Sequence, residues 1–219
     1  MQFIGLFMDN LLKPFAGQLV NHSSLVSVLS DYSAPNFKIH RWLGEEVLLA
    51  VKKGLYVVSP KTSNVPVALP LVANQLYGPS YVSLEYALYF YGMIPERVAQ
   101  ITSVTTKRAK TFQNSLGRFS YQKLPVSYYQ SGIDYVKSSD TVAFMMASPE
   151  KALCDWLVLT PNLKIYSVKA LKSLILNDLR LDASFLVSLN AIKVREMANN
   201  IKKSKLLNLL ADLLEQIQC

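Results

Sequence analysis

Along residues 36–59 the spacing of the apolar positions changes from a helical period to an alternating one. Apolar and basic side chains first share a run that can form about two turns of amphipathic helix, and this run stops at Gly44. Two β-rich runs follow, over 46–51 and 55–59, and Lys52-Lys53-Gly54 joins them. Because glycine adopts positive φ without steric cost, this turn predicts a β-hairpin with two lysines at its tip.

A short basic helix followed by such a hairpin is the layout of a winged helix-turn-helix domain. In that fold the helix enters the major groove of DNA and the hairpin, or wing, contacts the phosphate backbone. The candidate DNA-binding residues are Asn36, Lys38, His40, Arg41, Lys52, Lys53 and Lys61. We expect the basic residues of the helix and the turn to be exposed, because none has an acidic partner at helical spacing within its own element. A small domain that merely has a hairpin with a basic turn is the alternative.

Two further helices are expected before this unit. Apolar residues return at helical spacing over 6–20, which predicts a first helix that packs as an N-terminal lid. A short helix is predicted over 25–29 and ends near Asp31. Pro35 then separates this short helix from the basic helix. His22 is expected to cap the short helix.

A change in composition marks the end of this unit. Three of the ten prolines lie between residues 60 and 70, together with polar turn-forming residues. We therefore place a domain boundary near residue 64. This divides the chain into a winged-helix domain with an N-terminal extension, residues 1–64, and a second domain, residues 65–219.

The second domain is expected to contain both helices and strands. Ser83 begins a predicted helix that Gly92 ends, and β-rich runs between 100 and 147 predict a three- to four-stranded sheet. Ser148-Pro149-Glu150 has the chemistry of a helix start, and residues 166–219 are helical in pattern with a strongly amphipathic last helix. The helical region has predicted breaks at 177–182, 189–190 and 199–200. The predicted fold class is α+β: a winged helix-turn-helix, then a mixed α/β domain with a small sheet and a helical C-terminal part.

Charge is distributed unevenly along this chain. The net charge is +8, and the segment from Met93 to Lys137 has seven basic residues against two acidic ones, so it carries +5 of that total. Its central cations form a second candidate basic surface, Lys107, Arg108, Lys110, Arg118 and Lys123. Such a surface binds nucleic acid or an acidic protein in some proteins, and in others it only solvates a sheet and protects its edge. We predict that this surface and the wing share one DNA-facing side.

No sequence motif indicates an enzyme. GxSxG, Walker, GxGxxG and HExxH motifs are absent, and neither His22 nor His40 lies near a candidate nucleophile, so no catalytic residue, metal or cofactor is expected. Cys154 and Cys219 form neither a disulfide framework nor a metal-ligand set, which fits a reducing cytoplasm. The apolar start, residues 1–15, is interrupted by charged residues and a proline, so we expect neither a signal sequence nor a membrane anchor.

Four motifs follow one another along the chain: ANQLYGPSYVSLEYALYFYGMIPE (73–96), ITSVTTKRAKTF (101–112), FSYQKLP (119–125) and ASPEKALCD (147–155). Together with KKGLYVVSP (52–60), they resemble in order and wording the AbiEi family of antitoxins from bacterial type IV toxin–antitoxin systems. The resemblance covers roughly residues 23–160. The residues after this range match the family only in helical character, and the first 20 residues fall outside the resemblance.

The resemblance implies a winged helix that binds operator repeats in double-stranded DNA and represses its own operon. It also implies a C-terminal domain that counters a nucleotidyltransferase-like toxin, often without a stable complex. The family motif residues are Tyr81, Ser83, Glu85, Gly92, Ser148, Pro149, Glu150, Lys151 and Asp155. One departure is that the segment from Ser23 to Asn36 is short for two full helices before the recognition helix, so we expect modest DNA affinity.

Two other hypotheses belong to different functional classes. In the first, the chain is a protein-interaction module that does not bind DNA and whose basic sheet holds an acidic partner. In the second, it is a defence-associated nuclease that uses Glu150, Lys151 and Asp155. The nuclease hypothesis is weak, because adjacent Glu and Lys side chains point to different sides of a helix.

Overall fold

A computed structural model describes residues 11–139 and 142–218. Its N-terminal part consists of a 3₁₀ turn (Lys13–Phe15), β1 (Leu19–Asn21), α1 (His22–Val28), α2 (Pro35–Gly44), β2 (Leu48–Lys52) and β3 (Leu55–Val58). The three strands form an antiparallel sheet in which β3 lies between β1 and β2. The helices α1 and α2 are inserted between β1 and β2 in the chain.

Local chemistry explains where these elements begin and turn. The Asn21 side chain accepts a hydrogen bond from the Ser24 amide at 2.8 Å and so caps α1, a role that the sequence pattern assigns to His22. Pro35 occupies the first turn of α2, where its missing amide hydrogen costs nothing. Gly54 has φ +77° at the turn between β2 and β3. The helix and the hairpin predicted from the sequence are therefore both present.

The predicted helix over 6–20 ends earlier than the sequence indicates. Residues 11–12 are helical, Lys13–Phe15 form the 3₁₀ turn, and the chain then enters β1, while residues 6–10 lie outside the described part of the chain. Gly17 interrupts the helical path with φ +72°. The last residues of the run then pair with β3, with Leu19 opposite Val57. Strand pairing with a distant segment thus outweighed the local helical spacing.

The elements between residues 60 and 147 are α3 (Pro60–Ser63), α4 (Leu69–Leu76), β4 (Ser80–Val82), α5 (Leu84–Phe90), β5 (Ile101–Thr105), β6 (Lys110–Asn114), β7 (Gly117–Lys123), α6 (Val126–Tyr129), β8 (Ile133–Lys137) and β9 (Ala143–Ala147). Six strands form one mixed sheet in the order β6-β7-β5-β4-β9-β8. The β5–β7 and β4–β9 pairs are parallel and the others are antiparallel.

This sheet is larger than the three or four strands that the sequence predicts. The β-rich run that begins at residue 100 is two strands, β5 and β6, separated by a bend. β4 is only three residues long, too short to show an alternating pattern, and all three of its side chains are buried. The predicted helix between Ser83 and Gly92 is confirmed as α5, and Gly92 follows it with φ +72°.

The C-terminal part is helical, as predicted. Its elements are α7 (Pro149–Leu159), α8 (Val168–Ser173), a π-helical turn (Leu174–Asp178), α9 (Ala183–Ser188), α10 (Ala191–Ala198) and α11 (Ser204–Gln218). The Ser148 hydroxyl accepts the Lys151 amide at 3.2 Å, which confirms Ser148 as the cap of α7. The predicted breaks separate these helices, and the leucines of α11 that face inward are buried. The fold is therefore a mixed α+β arrangement with two sheets.

Two hydrophobic clusters fill the described part of the chain. The smaller one surrounds Trp42 in the N-terminal part, and the larger one lies between the six-stranded sheet and the helices packed on it. Val51 and Val57, both from the hairpin, belong to the larger cluster. The hairpin therefore contributes to both cores. The boundary near residue 64 stays a prediction.

Candidate nucleic-acid interface

One face of α2 is turned to solvent. Its exposed side chains lie on one side of the helix and are Asn36, Phe37, His40 and Arg41. Ile39 and Trp42 lie on the opposite side and are buried in the smaller core. The helix is thus anchored through one stripe and presents a second stripe that combines an amide, an imidazole, a guanidinium and a phenyl ring.

Arg41 is exposed but paired. Its Nε lies 3.2 Å from Glu45 Oε1, with 44% of the Arg41 side chain and 46% of the Glu45 side chain accessible. Within α2 itself Arg41 has no acidic partner, as expected, but Glu45 follows immediately after the end of the helix at helical spacing and pairs with it. Exposed pairs of this kind contribute at most about 1 kcal/mol, so the guanidinium can exchange this partner for another at little cost.

Lys38 is half-buried, whereas the sequence analysis expected full exposure. Its ammonium lies 5.5 Å from the ring centroids of both Tyr32 and Trp42. A cation above aromatic faces is attracted by the ring quadrupole, and this holds Lys38 against the protein. The Lys38 ammonium is therefore less free to move than the exposed side chains of the same helix.

Asn36 is tied to the sheet through His22. The His22 Nε2–H donates to Asn36 Oδ1 at 3.1 Å, and its Nδ1 accepts from the Tyr56 hydroxyl at 3.4 Å. Because an amide oxygen can only accept, the contact with Asn36 places the imidazole proton on Nε2. This chain of contacts connects β3 to the first turn of α2.

The hairpin does not extend freely into solvent. Lys52 Nζ donates to the carbonyl oxygens of Gln75 at 3.3 Å and Leu76 at 2.9 Å, at the C-terminal end of α4. This is a favourable position for a cation, because the last carbonyls of a helix carry partial negative charge. Asn114 Nδ2 also donates to the Val51 carbonyl at 3.1 Å. One side of the hairpin is therefore fixed to the second part of the chain.

Lys53 differs from its neighbour Lys52. It is exposed, and among the described residues it forms no hydrogen bond or ion pair through its side chain. A Cβ atom added to the adjacent Gly54 would meet no other atom within 4 Å, so the tip of the hairpin is open. Lys61, by contrast, lies 3.1 Å from Glu46, and both of these side chains are exposed.

Part of the second basic surface meets the hairpin at one place. Lys107 Nζ donates to the Gly78 carbonyl and lies 5.4 Å from the Tyr77 ring centroid. Lys110 Nζ lies 5.7 Å from the same centroid. Since Lys52 binds the two residues just before Tyr77, all three lysines gather around residues 75–78. We call this cluster, Lys52, Lys107 and Lys110 around residues 75–78, the basic junction.

The other members of the second basic surface are exposed but more spread out. The Arg108 carbonyl accepts from the Tyr77 hydroxyl at 3.2 Å, which keeps its backbone next to the basic junction. Lys123 ends β7 opposite Thr105, and Arg118 lies near the other end of β7, opposite Gln113. The cations therefore lie near both ends of the strands on the β6 side of the sheet.

Several family motif residues meet in the core instead. The hydroxyls of Tyr81 and Ser83 donate to Asp155 Oδ2 at 2.9 and 2.7 Å. Lys151 Nζ lies 3.3 Å from Asp155 Oδ1 and donates to the Tyr128 carbonyl at 2.7 Å. We call these five residues the buried polar cluster, and it ties β4 and α6 to α7.

The electrostatics of this cluster follow from its burial. The side chains of Lys151 and Asp155 are both fully inaccessible to solvent. Burial raises the pKa of Asp155 and lowers the pKa of Lys151, and the ion pair between them opposes both shifts. A pair without solvent access cannot meet a substrate, so the cluster has a structural role. Tyr128 was not identified from the sequence, because only the fold brings it above Lys151, with the ammonium 3.2 Å from the ring centroid.

Glu150 belongs to a different set of contacts. It accepts hydrogen bonds from the Ser148 hydroxyl at 2.9 Å and from the backbone N–H of Asn190 at 3.2 Å. Its carboxylate thus binds the start of α10, while Lys151 binds the buried polar cluster. The prediction that adjacent Glu and Lys side chains take different directions is confirmed. The remaining motif residues have local roles, with Pro149 in the first turn of α7 and Glu85 half-buried in the first turn of α5.

Comparison with known proteins adds no match: no protein-family model matches this chain, and no curated protein is significantly similar to it. Within residues 11–139 and 142–218, no group of three or more His, Cys, Asp or Glu side chains is placed to hold a metal ion. No helix in the same ranges combines the length and the apolar character that crossing a membrane requires.

Proposed function

We propose that this protein is a DNA-binding antitoxin and autorepressor of the AbiEi type that acts in the cytoplasm. Its N-terminal part would be a winged helix, with α2 as the recognition helix and the β2–β3 hairpin as the wing. The observation that carries this proposal is the exposed face of α2, which holds Asn36, His40 and Arg41 beside a hairpin with an open cationic tip. The strand order β1-β3-β2, with two helices before the hairpin, supports the same assignment.

In this proposal each basic group has a defined task. Arg41 leaves Glu45 and donates two hydrogen bonds to a guanine edge in the major groove, while Asn36 and His40 contact neighbouring bases. Lys53 contacts a phosphate next to the groove. Lys52 holds the wing against α4, and the remaining cations of the second basic surface add phosphate contacts that increase affinity without contributing specificity.

The antitoxin role rests on the resemblance alone. The second domain would counter a nucleotidyltransferase-like toxin, and the motif residues of the buried polar cluster would serve that role by stabilising the fold of the domain. Exposed residues of this domain, and not Lys151 or Asp155, would then make any contact with the toxin or its substrate.

The DNA-binding proposal is tested by titrating the full chain against the DNA upstream of its own reading frame, with random duplex as competitor, at several salt concentrations. We expect a shift that survives the competitor. The slope of log K against log salt should flatten by about 0.9 for each phosphate contact removed. Lys53→Ala should remove about one contact, and joint replacement of Lys107, Arg108 and Lys110 by Ala should flatten the slope further.

A matched control removes the same charge elsewhere. Joint replacement of the exposed Lys164, Lys169 and Lys172 by Ala deletes three cations from the α7–α8 region and should leave the slope unchanged. Absence of any shift at low salt would refute DNA binding.

A second candidate function is favoured by one observation. Lys52 and Val51 are already bound to the second part of the chain, which leaves less of the wing available to DNA than a free hairpin would have. In this alternative the protein does not bind DNA and its basic sheet holds an acidic protein, so no shift should appear at low salt. If DNA does bind and only the wing variant changes the salt slope, the sheet does not contact DNA and its charge would be available to an acidic protein.

A further inference from the structure

Phe37 is an apolar side chain that the smaller core does not use. It is 72% exposed, although it lies on a helix whose other aromatic residue, Trp42, is fully buried. Trp42 and Ile39 already anchor α2 to the sheet. Phe37 therefore does not hold the helix in place, and its ring stands on the exposed face together with Asn36, His40 and Arg41.

The chemistry of this face leaves one role open for a phenyl ring. Asn36, His40 and Arg41 can all exchange hydrogen bonds with base edges, whereas Phe37 offers only apolar surface. In the major groove of DNA, thymine is the one base that presents an apolar group, its 5-methyl. An apolar side chain among hydrogen-bonding ones is thus complementary to a thymine among bases that are recognised by their polar edges.

We propose that Phe37 recognises a thymine through its 5-methyl group. The inference rests on the proposed function, because it requires α2 to enter the major groove. It also places the thymine relative to another base. Phe37 and Arg41 are one helical turn apart, so their Cβ atoms are about 5–6 Å from each other. Base pairs follow one another at about 3.4 Å along the helix axis, so the thymine lies within about two base pairs of the guanine that Arg41 contacts.

A thymine without its methyl group gives a sharp test. The full chain first selects duplexes from a random library, and the selected sequences are then amplified with either dTTP or dUTP. Wild-type protein should bind the dUTP product about fourfold more weakly, the effect of removing one buried methyl-sized group. Phe37→Ala should bind the dTTP product more weakly than wild type does, and it should bind the two products equally.

Two control variants separate recognition from general effects. Tyr166→Ala removes an aromatic side chain that is 84% exposed on the connection between α7 and α8, and it should keep the wild-type preference for dTTP product. Phe37→Leu keeps an apolar surface and should retain most of the preference. Because Phe37 is exposed, neither of its substitutions should lower the unfolding temperature.

The outcomes distinguish this inference from the proposed function. If the chain selects no sequence from the library, DNA recognition fails and the inference fails with it. If sequences are selected but wild type and Phe37→Ala lose the same factor on dUTP product, DNA recognition stands and the role of Phe37 is refuted. If Phe37→Ala instead lowers the molecular mass in solution and leaves the preference for dTTP unchanged, Phe37 is a contact between two copies of this chain.

Discussion

At the scale of single residues, the solvent exposure of an ion pair determines whether its two partners can separate. Arg41 and Glu45 share a pair in which both side chains are about half accessible, so water screens the attraction and either partner can leave. Lys151 and Asp155 have no access to solvent, and neither can separate without leaving a charge in the core. The first pair is compatible with binding DNA and the second with holding the fold.

Arg41→Ala should weaken discrimination between the upstream DNA and random duplex by about 1 to 3 kcal/mol, if Arg41 contacts a base edge. Competition titrations of both DNAs with the same protein measure this difference. Glu45→Gln is the control, because it removes the acidic partner and keeps the guanidinium, and it should not reduce discrimination. Equal losses on both DNAs would reassign Arg41 to a phosphate.

Asp155→Ala should lower the free energy of unfolding by about 3–5 kcal/mol, because it leaves the Lys151 ammonium buried without its counter-charge. It also deprives Tyr81 and Ser83 of their acceptor. Urea unfolding followed by circular dichroism gives the value. Asp182→Ala, which removes an exposed cap of α9, should lower the free energy of unfolding much less and serves as the reference. A loss for Asp155→Ala no larger than this reference would contradict the structural role of the cluster.

At the scale of elements, the hairpin is shared between two parts of the molecule. Its β3 strand completes the three-stranded sheet, and Lys52 binds the end of α4. Two neighbouring lysines of identical chemistry therefore have different environments, since the exposed Lys53 side chain forms no hydrogen bond or ion pair with the described residues. The two lysines of this turn therefore differ in role: Lys52 attaches the hairpin to α4, and Lys53 makes no such contact.

Lys52→Met and Lys53→Met should accordingly act on different properties. Lys52→Met should lower the free energy of unfolding by up to about 1 kcal/mol, because a cation at the C-terminal end of a helix is lost. Lys53→Met should leave stability unchanged and flatten the salt slope of DNA binding by about 0.9. Urea unfolding and salt titrations on both variants provide the comparison. If Lys52→Met flattened the slope as much as Lys53→Met does, the Lys52 ammonium must leave α4 when DNA binds.

At the scale of the whole molecule, the larger core contains tyrosines whose hydroxyl groups are inside the fold. Burial raises the pKa of Tyr81, Tyr121 and Tyr128, and together with Asp134 and Glu150 it raises the pKa of Tyr91 to about 12. Each phenol thus keeps its proton in the folded chain at a pH where an unfolded tyrosine, with a pKa near 10, has lost it. The stability that this difference represents is complete below about pH 10 and is lost as the pH rises further.

We therefore expect the free energy of unfolding to decrease as the pH rises above about 10, and Tyr91 should contribute up to about 1.4 kcal/mol per pH unit until its own pKa of about 12 is reached. Urea unfolding at a series of pH values measures the slope. Tyr91→Phe removes one titrating group together with its hydrogen bond to the Ala147 carbonyl. This substitution should lower the free energy of unfolding by about 1 kcal/mol at neutral pH. It should also make the dependence on pH shallower by the contribution of one titrating group. A slope that is unchanged in Tyr91→Phe would show that Tyr91 does not titrate on unfolding.

The sequence by itself determined the features that depend on a few neighbouring residues. Gly54 set the hairpin turn, Ser148 and Pro149 set the start of α7, and the leucine stripe of α11 set its buried face. These signals are local because a cap, a turn or a helical stripe is complete within about two turns of chain. The basic and polar residues of α2 were also identified in this way.

Only the tertiary structure decided which distant residues meet. Tyr81 binds Asp155 across 74 positions, and Lys52 binds Leu76 across 24. β4 exists because β5 and β9 pair with it on both sides, and three residues carry no periodic signal of their own. No local pattern distinguishes Lys52 from Lys53 or Phe37 from Trp42, because the contacts and the burial of a side chain depend on what the rest of the chain packs against. The tertiary structure therefore determines which cations lack a contact with the described residues and which aromatic ring is exposed to solvent.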